Sequence, residues 1–172
     1  PVGEHQPILS VTGRRLASQR APTLPYRTYR ARLGADNPEN SKTDSYATHR
    51  DQIKSILLSW GMPEVNAEPT SKILSWDDLH GVDSHGMSML PGYDNLRRTG
   101  RANMEARPTI VRESPVSALV DGGGGLGHVP SHYAMGVAIE KAKKTGMAIA
   151  AVHNSAHFGA TGFYTLMAAK AG

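Results

Sequence analysis

Two short polar segments contain the residues of this chain that are best suited to chemistry. The first is Asp83-Ser84-His85-Gly86, and the second runs from His153 to Gly162. Each segment contains histidine, whose imidazole gains and loses a proton near neutral pH. Because both segments are polar and flanked by glycine, we interpret His85 and His157 as functional residues rather than ordinary half-buried histidines.

The second segment is positioned by the secondary structure predicted around it. An apolar run over residues 147–152 is typical of a buried strand, and the glycines beyond it lead into a helical pattern. In open α/β sheets, ligands bind beyond the carboxyl ends of strands, where polar groups face a crevice. Asn154 and Ser155 therefore lie where a ligand is expected.

Helices are predicted upstream of this strand. The first is capped by Thr48 and stops at Gly61, and its apolar positions follow helical spacing, at Ile53, Ile56, Leu57 and Trp60. The second begins at Pro63 and extends towards Asp78, with an expected inner face of Val65, Ile73, Leu74 and Trp76. Pro69 within it predicts a kink or a later helix start, because proline removes a backbone donor.

A third helix is predicted over residues 84–100, so that His85 lies in its first turn. The residues expected to face inward are Met87, Leu90, Tyr93 and Leu96. Large aromatic residues at helical spacing usually belong to the core. Trp60, Trp76 and Tyr93 are therefore predicted to be core residues rather than residues that stack on a cofactor.

The second half of the chain has a strand-like periodicity. Residues 109–112 and 116–120 are β-branched runs separated by a turn, which predicts a hairpin. A glycine-rich stretch follows, then a helix over residues 130–145 and the apolar strand. Strand, glycine loop, helix and strand form a βαβ-like unit, so the predicted fold class is α/β with a helical N-terminal segment.

The glycine-rich stretch formally matches a dinucleotide-binding motif. Gly122, Gly124 and Gly127 satisfy G-x-G-x-x-G between a strand and a helix. That motif needs an acidic residue at the end of the next strand, and His153 and Asn154 occupy that position instead. We therefore reject a Rossmann fold and interpret the glycines as a tight turn that could approach a ligand.

The remaining histidines suggest less specific roles. His5 and His49 are expected to be solvated, and His80 is expected at a helix end. Two pairs have the i, i+4 spacing that can grip a metal on a helix, namely His128 with His132 and His153 with His157. Acidic residues are scarce near either pair, so we assign no metal ligands, and a histidine-site metal hydrolase is kept only as an alternative.

Composition limits the class of protein. The chain has 172 residues, no cysteine and a net charge of +4, which excludes disulfides and thiolate metal sites. Six arginines and a single acid lie within residues 1–34, whereas the rest is close to neutral, which argues against a nucleic-acid-binding surface on the folded part.

Residues 1–47 are predicted to form an extended basic arm, with an organelle-targeting peptide as the alternative. No apolar run is long enough to span a membrane, and the expected location is cytoplasmic.

Several motifs together resemble one family. They are Gly81 to Gly86, Leu90-Pro91 with Tyr93, Asp121 to Gly127, Asn154-Ser155 with His157-Phe158-Gly159, and Gly162 with Tyr164. In order and spacing, from about Asp51 to Gly172, they resemble the malate/L-lactate dehydrogenase family of non-Rossmann NAD(P)-dependent 2-hydroxyacid oxidoreductases. That family includes sulfolactate and ureidoglycolate dehydrogenases, diketogulonate reductase and cyclic imino acid reductases.

The resemblance implies a fold and a set of partners. It implies a mixed sheet of the sulfolactate dehydrogenase type that is incomplete here, with a helical segment over 48–106 and the first part of an NAD(P)-binding sheet domain over 107–172. It also implies a homodimer, NAD or NADP as cofactor, and a small 2-hydroxy or 2-oxo acid as substrate. No nucleic acid or membrane partner is expected.

The resemblance also implies site residues. The histidine of the Ser-His-Gly motif corresponds to His85, with Ser84 as its hydrogen-bonding partner, and the histidine of the His-Phe-Gly motif corresponds to His157. Either histidine could transfer the proton that accompanies hydride transfer. We assign cofactor contacts to the loop that contains Asn154, Ser155, Gly159, Ala160 and Thr161.

Two departures from the family pattern matter. Members often carry an arginine four residues after the Ser-His-Gly histidine, and here that position is Met89. Arg97 or Arg98 could hold the substrate carboxylate instead. Family members are about twice as long as this chain, so a truncated, non-catalytic fragment is the alternative to an enzyme.

Overall fold

The computed structural model describes residues 45–172, together with the backbone of two short strands before them. These strands, β1 (Tyr29–Arg30) and β2 (Thr43–Asp44), pair antiparallel. The predictions of an extended arm and of a targeting peptide over residues 1–47 otherwise lie outside the described residues.

The first helix, α1 (Tyr46–Ser59), begins earlier than its pattern predicts. Ser45 is its N-cap, and the Ser45 hydroxyl accepts a hydrogen bond from the Thr48 backbone N–H at 3.1 Å. The prediction of Thr48 as the cap is therefore wrong, because the serine three residues earlier satisfies the free amide. Ile53 and Leu57 are fully buried, as expected.

The second helix, α2 (Glu64–Leu79), carries an unusually polar inner face. Pro69 lies inside it, so the later start is wrong, and Pro63 is the N-cap rather than the first helical residue. Val65 is 65% exposed, which corrects its predicted place on the inner face. Ile73 and Leu74 are buried as predicted, but the other buried positions are mostly polar, at Asn66, Thr70, Ser71, Ser75, Asp77 and Asp78.

The third predicted helix is divided into three pieces. Two 3-10 turns, Asp83–His85 and Met87–Met89, precede α3 (Leu90–Arg98). A continuous helix from Ser84 is therefore wrong, because Gly86 has φ −94° and ψ −140° and interrupts the helical hydrogen bonds. The inward face is confirmed, since Leu90 and Tyr93 are buried and Met87 and Leu96 pack beside them.

The second half forms a small mixed sheet. Strands β3 (Thr109–Ser114) and β4 (Ser117–Gly125) pair antiparallel, which confirms the hairpin, and β5 (Ile149–Ser155) pairs parallel with β4. The connection from β4 to β5 is α4 (His128–Thr145), which ends at Gly146 in the left-handed conformation, and α5 (Thr161–Ala171) follows β5. The α/β class and the mixed sheet are confirmed.

The glycine-rich stretch is part of a strand rather than a tight turn. Gly122 to Gly125 belong to β4, with Gly123 and Gly124 at φ 63° and 72°. The β4–β5 ladder shifts register after Asp121 and resumes where Gly125 pairs with Ser155. The interpretation as a turn is wrong because the positive φ values form a bulge that the flanking pairing accommodates.

Strand β5 is more exposed than predicted. Met147, which precedes the strand, and Ile149, its first residue, are 74% and 69% exposed, so the predicted buried strand is wrong at these two positions. Within the described sheet, β5 is an edge strand, and an apolar cavity of about 500 Å³ lies between α4, β5 and α5. By contrast, the helical segment has a closed apolar core that includes Ile53, Leu74 and Tyr93.

Candidate active site

His85 and His157 meet in the folded chain. Their ring centroids lie 5.1 Å apart, although one ring belongs to the 3-10 turn after α2 and the other to the loop after β5. Both side chains are half-buried. The structure therefore brings the two predicted site histidines close together, although they are far apart in the sequence.

The segment that contains His85 is anchored to Asp78 of α2. The Met87 backbone N–H donates to Asp78 Oδ2 at 2.8 Å, and Gly86 packs so closely on this carboxylate that a Cβ would overlap it. His49 Nε2 lies 2.7 Å from the same oxygen, and both side chains are buried. The expectation that His49 is solvated is wrong, because a buried carboxylate recruits a hydrogen-bonding partner.

The segment that contains His157 is anchored to the neighbouring residue of α2. The Ala160 backbone N–H donates to Asp77 Oδ2 at 2.9 Å. Gly159 has φ +83°, and a Cβ on it would lie 2.9 Å from the same oxygen and 3.3 Å from the His128 ring. Gly159 and Ala160 thus contact the protein interior through Asp77.

Asp77 is a buried carboxyl group that hydrogen bonds only partly satisfy. Among the described residues, its Oδ1 has no hydrogen-bond partner. Burial raises the pKa of Asp77 from 3.8 to about 6, and the opposing effects are the Ala160 hydrogen bond and the nearby His85. Sequence reasoning missed Asp77 and Asp78, because two acidic residues at the end of a helix usually face solvent.

Behind His157 lies a buried pair of side chains. The Tyr93 hydroxyl is 2.7 Å from His157 Nδ1 and 3.4 Å from His128 Nε2. Tyr93 is a core residue as predicted, but its hydroxyl also reaches the site. His128, for which the sequence indicated only a possible pairing with His132, is fully buried. The signal that could have indicated this arrangement is that a buried tyrosine hydroxyl needs a partner.

The protonation states around Tyr93 follow from burial. Burial lowers the pKa of His128 to about 3, so this ring is neutral at neutral pH. The pKa of His157 is also lowered, first by burial and then by the nearby His85. Burial raises the pKa of Tyr93 above its usual value, so the phenol keeps its proton. His157 is thus neutral in its resting state.

The residues assigned to the cofactor have different surroundings. Asn154 has φ 50°, and its amide donates to Asp121 Oδ1 at 2.8 Å, an oxygen that also accepts from the Gly123 N–H. Ser155 and Thr161 are exposed. Asn154, Gly159 and Ala160 are thus held by contacts within the protein.

The arginines assigned to the substrate carboxylate lie on α3. Arg97 pairs with Asp94 at 2.6 Å and its guanidinium lies over the Trp60 ring, 5.5 Å from the centroid. Arg98 is 71% exposed and lies 3.8 Å from the same carboxylate. Within the described contacts, neither arginine touches His85 or His157. Met89 packs against the apolar core of the helical segment.

The metal alternative receives no support from the site. In the part of the chain that the structure describes, no group of three or more histidine, cysteine or acidic side chains could hold a metal ion. His153 lies within β5 and is exposed, so its spacing from His157 is not helical.

Among the described helices, none is both long and apolar enough to cross a membrane.

Comparison with known proteins gives a consistent result. The family model described as malate/L-lactate dehydrogenase matches residues 45–172. Malate dehydrogenase from Pyrococcus abyssi is 44% identical over 117 residues, which cover 68% of this chain and 32% of that protein.

Solved structures agree with the sequence comparison. Malate dehydrogenase from Entamoeba histolytica has a TM-score of 0.73 and 39% identity, over 76% of this chain and 37% of that chain. Sulfolactate dehydrogenase from Methanocaldococcus jannaschii has a TM-score of 0.69 and 36% identity, over 71% of this chain and 36% of that chain. The matched residues therefore span about a third of each relative, and these relatives are about twice as long as the 172-residue chain, as the resemblance implied.

Proposed function

The chain belongs to the malate/L-lactate dehydrogenase family, and on this premise we propose that it forms part of an oxidoreductase. The proposed enzyme transfers a hydride between NAD or NADP and a small 2-hydroxy or 2-oxo acid. The observation that carries this proposal is the paired imidazoles of His85 and His157, 5.1 Å apart.

The paired imidazoles suit the proton that accompanies hydride transfer. Oxidation of a C2 hydroxyl requires its proton to leave, and reduction of the carbonyl requires a proton to arrive. His85 and His157 are close enough for both to reach one substrate oxygen. Ser84 Oγ lies 2.9 Å from His85 Nδ1 and orients that ring.

The loop between β5 and α5 has polar groups of the kind that bind a nicotinamide cofactor. When bound, the nicotinamide ring accepts or supplies the hydride. Gly159 and Ala160 contact Asp77, and the residues at the two ends of this loop, Ser155 and Thr161, are exposed and carry hydroxyl groups. We propose that these two hydroxyls hydrogen-bond the cofactor, while Asn154, Gly159 and Ala160 set the shape of the loop.

The substrate carboxylate requires a cation that Met89 does not supply. We propose Arg97 or Arg98 for this role, since both lie on α3 after the segment that contains His85. Either would have to exchange Asp94 for the substrate. An Arg97→Lys substitution should raise KM more than it lowers kcat if Arg97 is the donor, because lysine lacks the bidentate fork.

Association with a second copy is also part of the proposal. β5 is an edge strand whose first residues are exposed and apolar, and such edges favour association. We expect the chain to form a homodimer or a larger species, measured by light scattering at micromolar concentration. A monodisperse monomer would contradict this expectation.

A measurement of cofactor binding by the chain itself distinguishes a segment of an enzyme from a non-catalytic fragment. NADH or NADPH should raise the melting temperature and change the nicotinamide fluorescence if the described residues bind the nucleotide. A Thr161→Val substitution should weaken that binding, and Thr145→Val, on the far end of α4, is the matched control. No shift with either nucleotide would favour a segment that needs the remaining part of the fold.

A further inference from the structure

We propose that Tyr93 and His128 are positioning residues that keep the proton of neutral His157 on Nε2. On the proposed function, His157 is then a hydrogen-bond donor to the substrate oxygen, and His85 is the histidine that gains and loses the proton. The two histidines, which the sequence leaves equivalent, then have different roles.

The backbone favours protonation of one nitrogen of His157 over the other. The Gly159 N–H donates to His157 Nδ1 at 3.4 Å. A backbone amide can only donate, so Nδ1 must offer a lone pair. The proton of the neutral ring is then on Nε2, and no described residue hydrogen-bonds that nitrogen.

The Tyr93 hydroxyl strengthens the same choice. It lies 2.7 Å from His157 Nδ1, and because that nitrogen is an acceptor, the hydroxyl must donate to it. The single phenolic proton is then used, and the Tyr93 oxygen can only accept from its other neighbour. That neighbour is His128 Nε2, at 3.4 Å.

The burial of His128 is consistent with donation from its Nε2. Its other nitrogen, Nδ1, is buried and has no hydrogen-bond partner among the described residues. An unpartnered buried N–H is rarer in proteins than an unpartnered buried acceptor, so the proton belongs on Nε2. Hydrogen bonds therefore run in one direction, from His128 to Tyr93 to His157.

Burial also prevents this chain of hydrogen bonds from reversing by ionisation. His128 has a pKa lowered to about 3, and the pKa of Tyr93 is raised, so both stay neutral across the neutral pH range. Neither group can take up or release a proton while His157 works. The direction of donation is then set by geometry alone.

His85 is held differently. Its Nδ1 faces a hydroxyl, Ser84 Oγ at 2.9 Å, which can donate or accept, so this ring can carry its proton on either nitrogen. The carboxyl group of Asp77 lies near enough to His85 for the two groups to interact electrostatically. A positive His85 in turn disfavours a positive His157.

The proton then moves in a defined way. During reduction, the carbonyl carbon gains the hydride while the carbonyl oxygen takes a proton from the imidazolium of His85, which becomes neutral. His157 Nε2–H donates a hydrogen bond to the same oxygen throughout and keeps its proton. Oxidation is the reverse, and His157 cannot act as the base because its Nε2 is already protonated.

The tautomer can be measured on the 172-residue chain without cofactor or substrate. Long-range proton–nitrogen NMR of nitrogen-15 histidine distinguishes a protonated ring nitrogen from a bare one, and a His157→Gln variant identifies the His157 signals. We expect bare Nδ1 and protonated Nε2 in the wild type near neutral pH. A protonated Nδ1 would overturn the proposal.

The Tyr93→Phe variant tests the positioning role. We expect the His157 signals to move towards a mixture of tautomers, because the stronger of two donors to Nδ1 is lost. Tyr133→Phe, on the exposed face of α4, is the control and should leave them unchanged. Unchanged His157 signals in folded Tyr93→Phe would overturn the role of Tyr93.

Variants at His128 keep the proposal testable if Tyr93→Phe does not fold. His128→Gln retains an N–H donor for Tyr93 and should preserve the tautomer, whereas His128→Leu should increase the Nδ1-protonated fraction. Equal spectra for the two variants would overturn the role of His128. A failure of these NMR tests would leave the proposed oxidoreductase activity intact, and a failure to bind nucleotide would leave the tautomer result intact.

Discussion

The two segments that carry the site histidines are held in the same way but serve their rings differently. Each is hydrogen-bonded through a backbone N–H to one of two adjacent aspartates on α2, Met87 to Asp78 and Ala160 to Asp77. Each also packs a glycine against that carboxylate. The backbone of both segments is thus fixed by a single turn of one helix.

The difference lies in what surrounds each ring and each carboxylate. The His157 ring has the buried hydroxyl of Tyr93 as a hydrogen-bond partner, whereas the His85 ring has the exposed hydroxyl of Ser84. Asp78 accepts from both His49 and Met87, whereas Asp77 keeps one buried oxygen without a partner. A buried carboxylate with hydrogen-bond partners stabilises the fold, whereas one with an unpartnered oxygen favours its protonated form. Substitution of the two aspartates should therefore change the free energy of unfolding in opposite directions.

The largest expected effect is on catalysis. In an active form that contains this segment, His85→Ala and His157→Ala should each lower kcat by about two to four orders of magnitude. The double variant should be much less than additive, because the two groups act as a unit. Steady-state kinetics over a range of pH should show a changed profile for His85→Ala only.

A matched control is available for this comparison. His153→Ala replaces an exposed histidine on β5 and should leave kcat unchanged. Near-normal turnover of His85→Ala, with an unaltered pH profile, would withdraw the proton-transfer role from His85.

The next effect is on stability, through Asp78. Asp78→Asn removes the charged acceptor of the hydrogen bonds from His49 and the Met87 N–H, and a hydrogen bond to a charged group is worth about 1.5–3 kcal/mol. Urea denaturation should show this loss in the free energy of unfolding. Glu113→Gln, which breaks a more exposed pair with Lys141, is the control and should change it by less than about 1 kcal/mol. Equal effects of the two substitutions would show that Asp78 does not anchor the segment.

Asp77 should show the opposite sign and a pH dependence. Its pKa is raised from 3.8 to about 6 in the fold, so folding favours the protonated form. That stabilisation is fully present below about pH 4, is lost as the pH rises through about 6, and amounts to about 3 kcal/mol.

The Asp77→Asn variant isolates this contribution. It keeps an acceptor for the Ala160 N–H but cannot ionise, so above about pH 6 it should be as stable as the wild type or more stable. Denaturation measured at several pH values should show the gap between the two proteins changing between about pH 4 and 6. A gap that does not vary with pH in this interval would contradict the raised pKa.

The smallest expected effects come from the glycines. Gly86→Ala places a Cβ where the Asp78 carboxylate lies, and such overpacking typically costs about 1–3 kcal/mol. Gly92→Ala, inside α3 with no atom within 4 Å of the new Cβ, should instead stabilise by up to about 1 kcal/mol. Melting temperatures would rank the two. Equal melting temperatures would mean that the His85 segment does not depend on its contact with Asp78.

The helices and strands were predictable where burial follows an apolar pattern. Leu90 and Tyr93 recur at helical spacing and are buried, and the β-branched runs around Pro115 pair as a hairpin. The inner face of α2 was not predictable in the same way. Asn66 is buried because its amide donates to the carbonyls of Met104 and Ala106, at 3.3 and 2.9 Å, and these partners are distant in sequence.

The prediction of a continuous helix from Ser84 failed for a related reason. Residues 84–100 have helical spacing, yet Gly86 interrupts the helix to pack against Asp78. A pattern of apolar residues cannot show that a glycine is required by a carboxylate eight positions earlier on another element. Contacts of this kind exist only after α2 and the following turn have come together.

The sequence by itself determined the fold class and the family and led us to propose the two histidines, because the types and spacing of residues carry that information locally. Only the tertiary structure decided how the histidines differ. Tyr93, His128 and Asp77 come from three separate elements, and each becomes a partner of the site through burial, which removes water as the competing hydrogen-bond partner. The preference of His157 for one tautomer follows from that exclusion of water and from the direction of the Gly159 N–H. Neither of these can be read from the sequence.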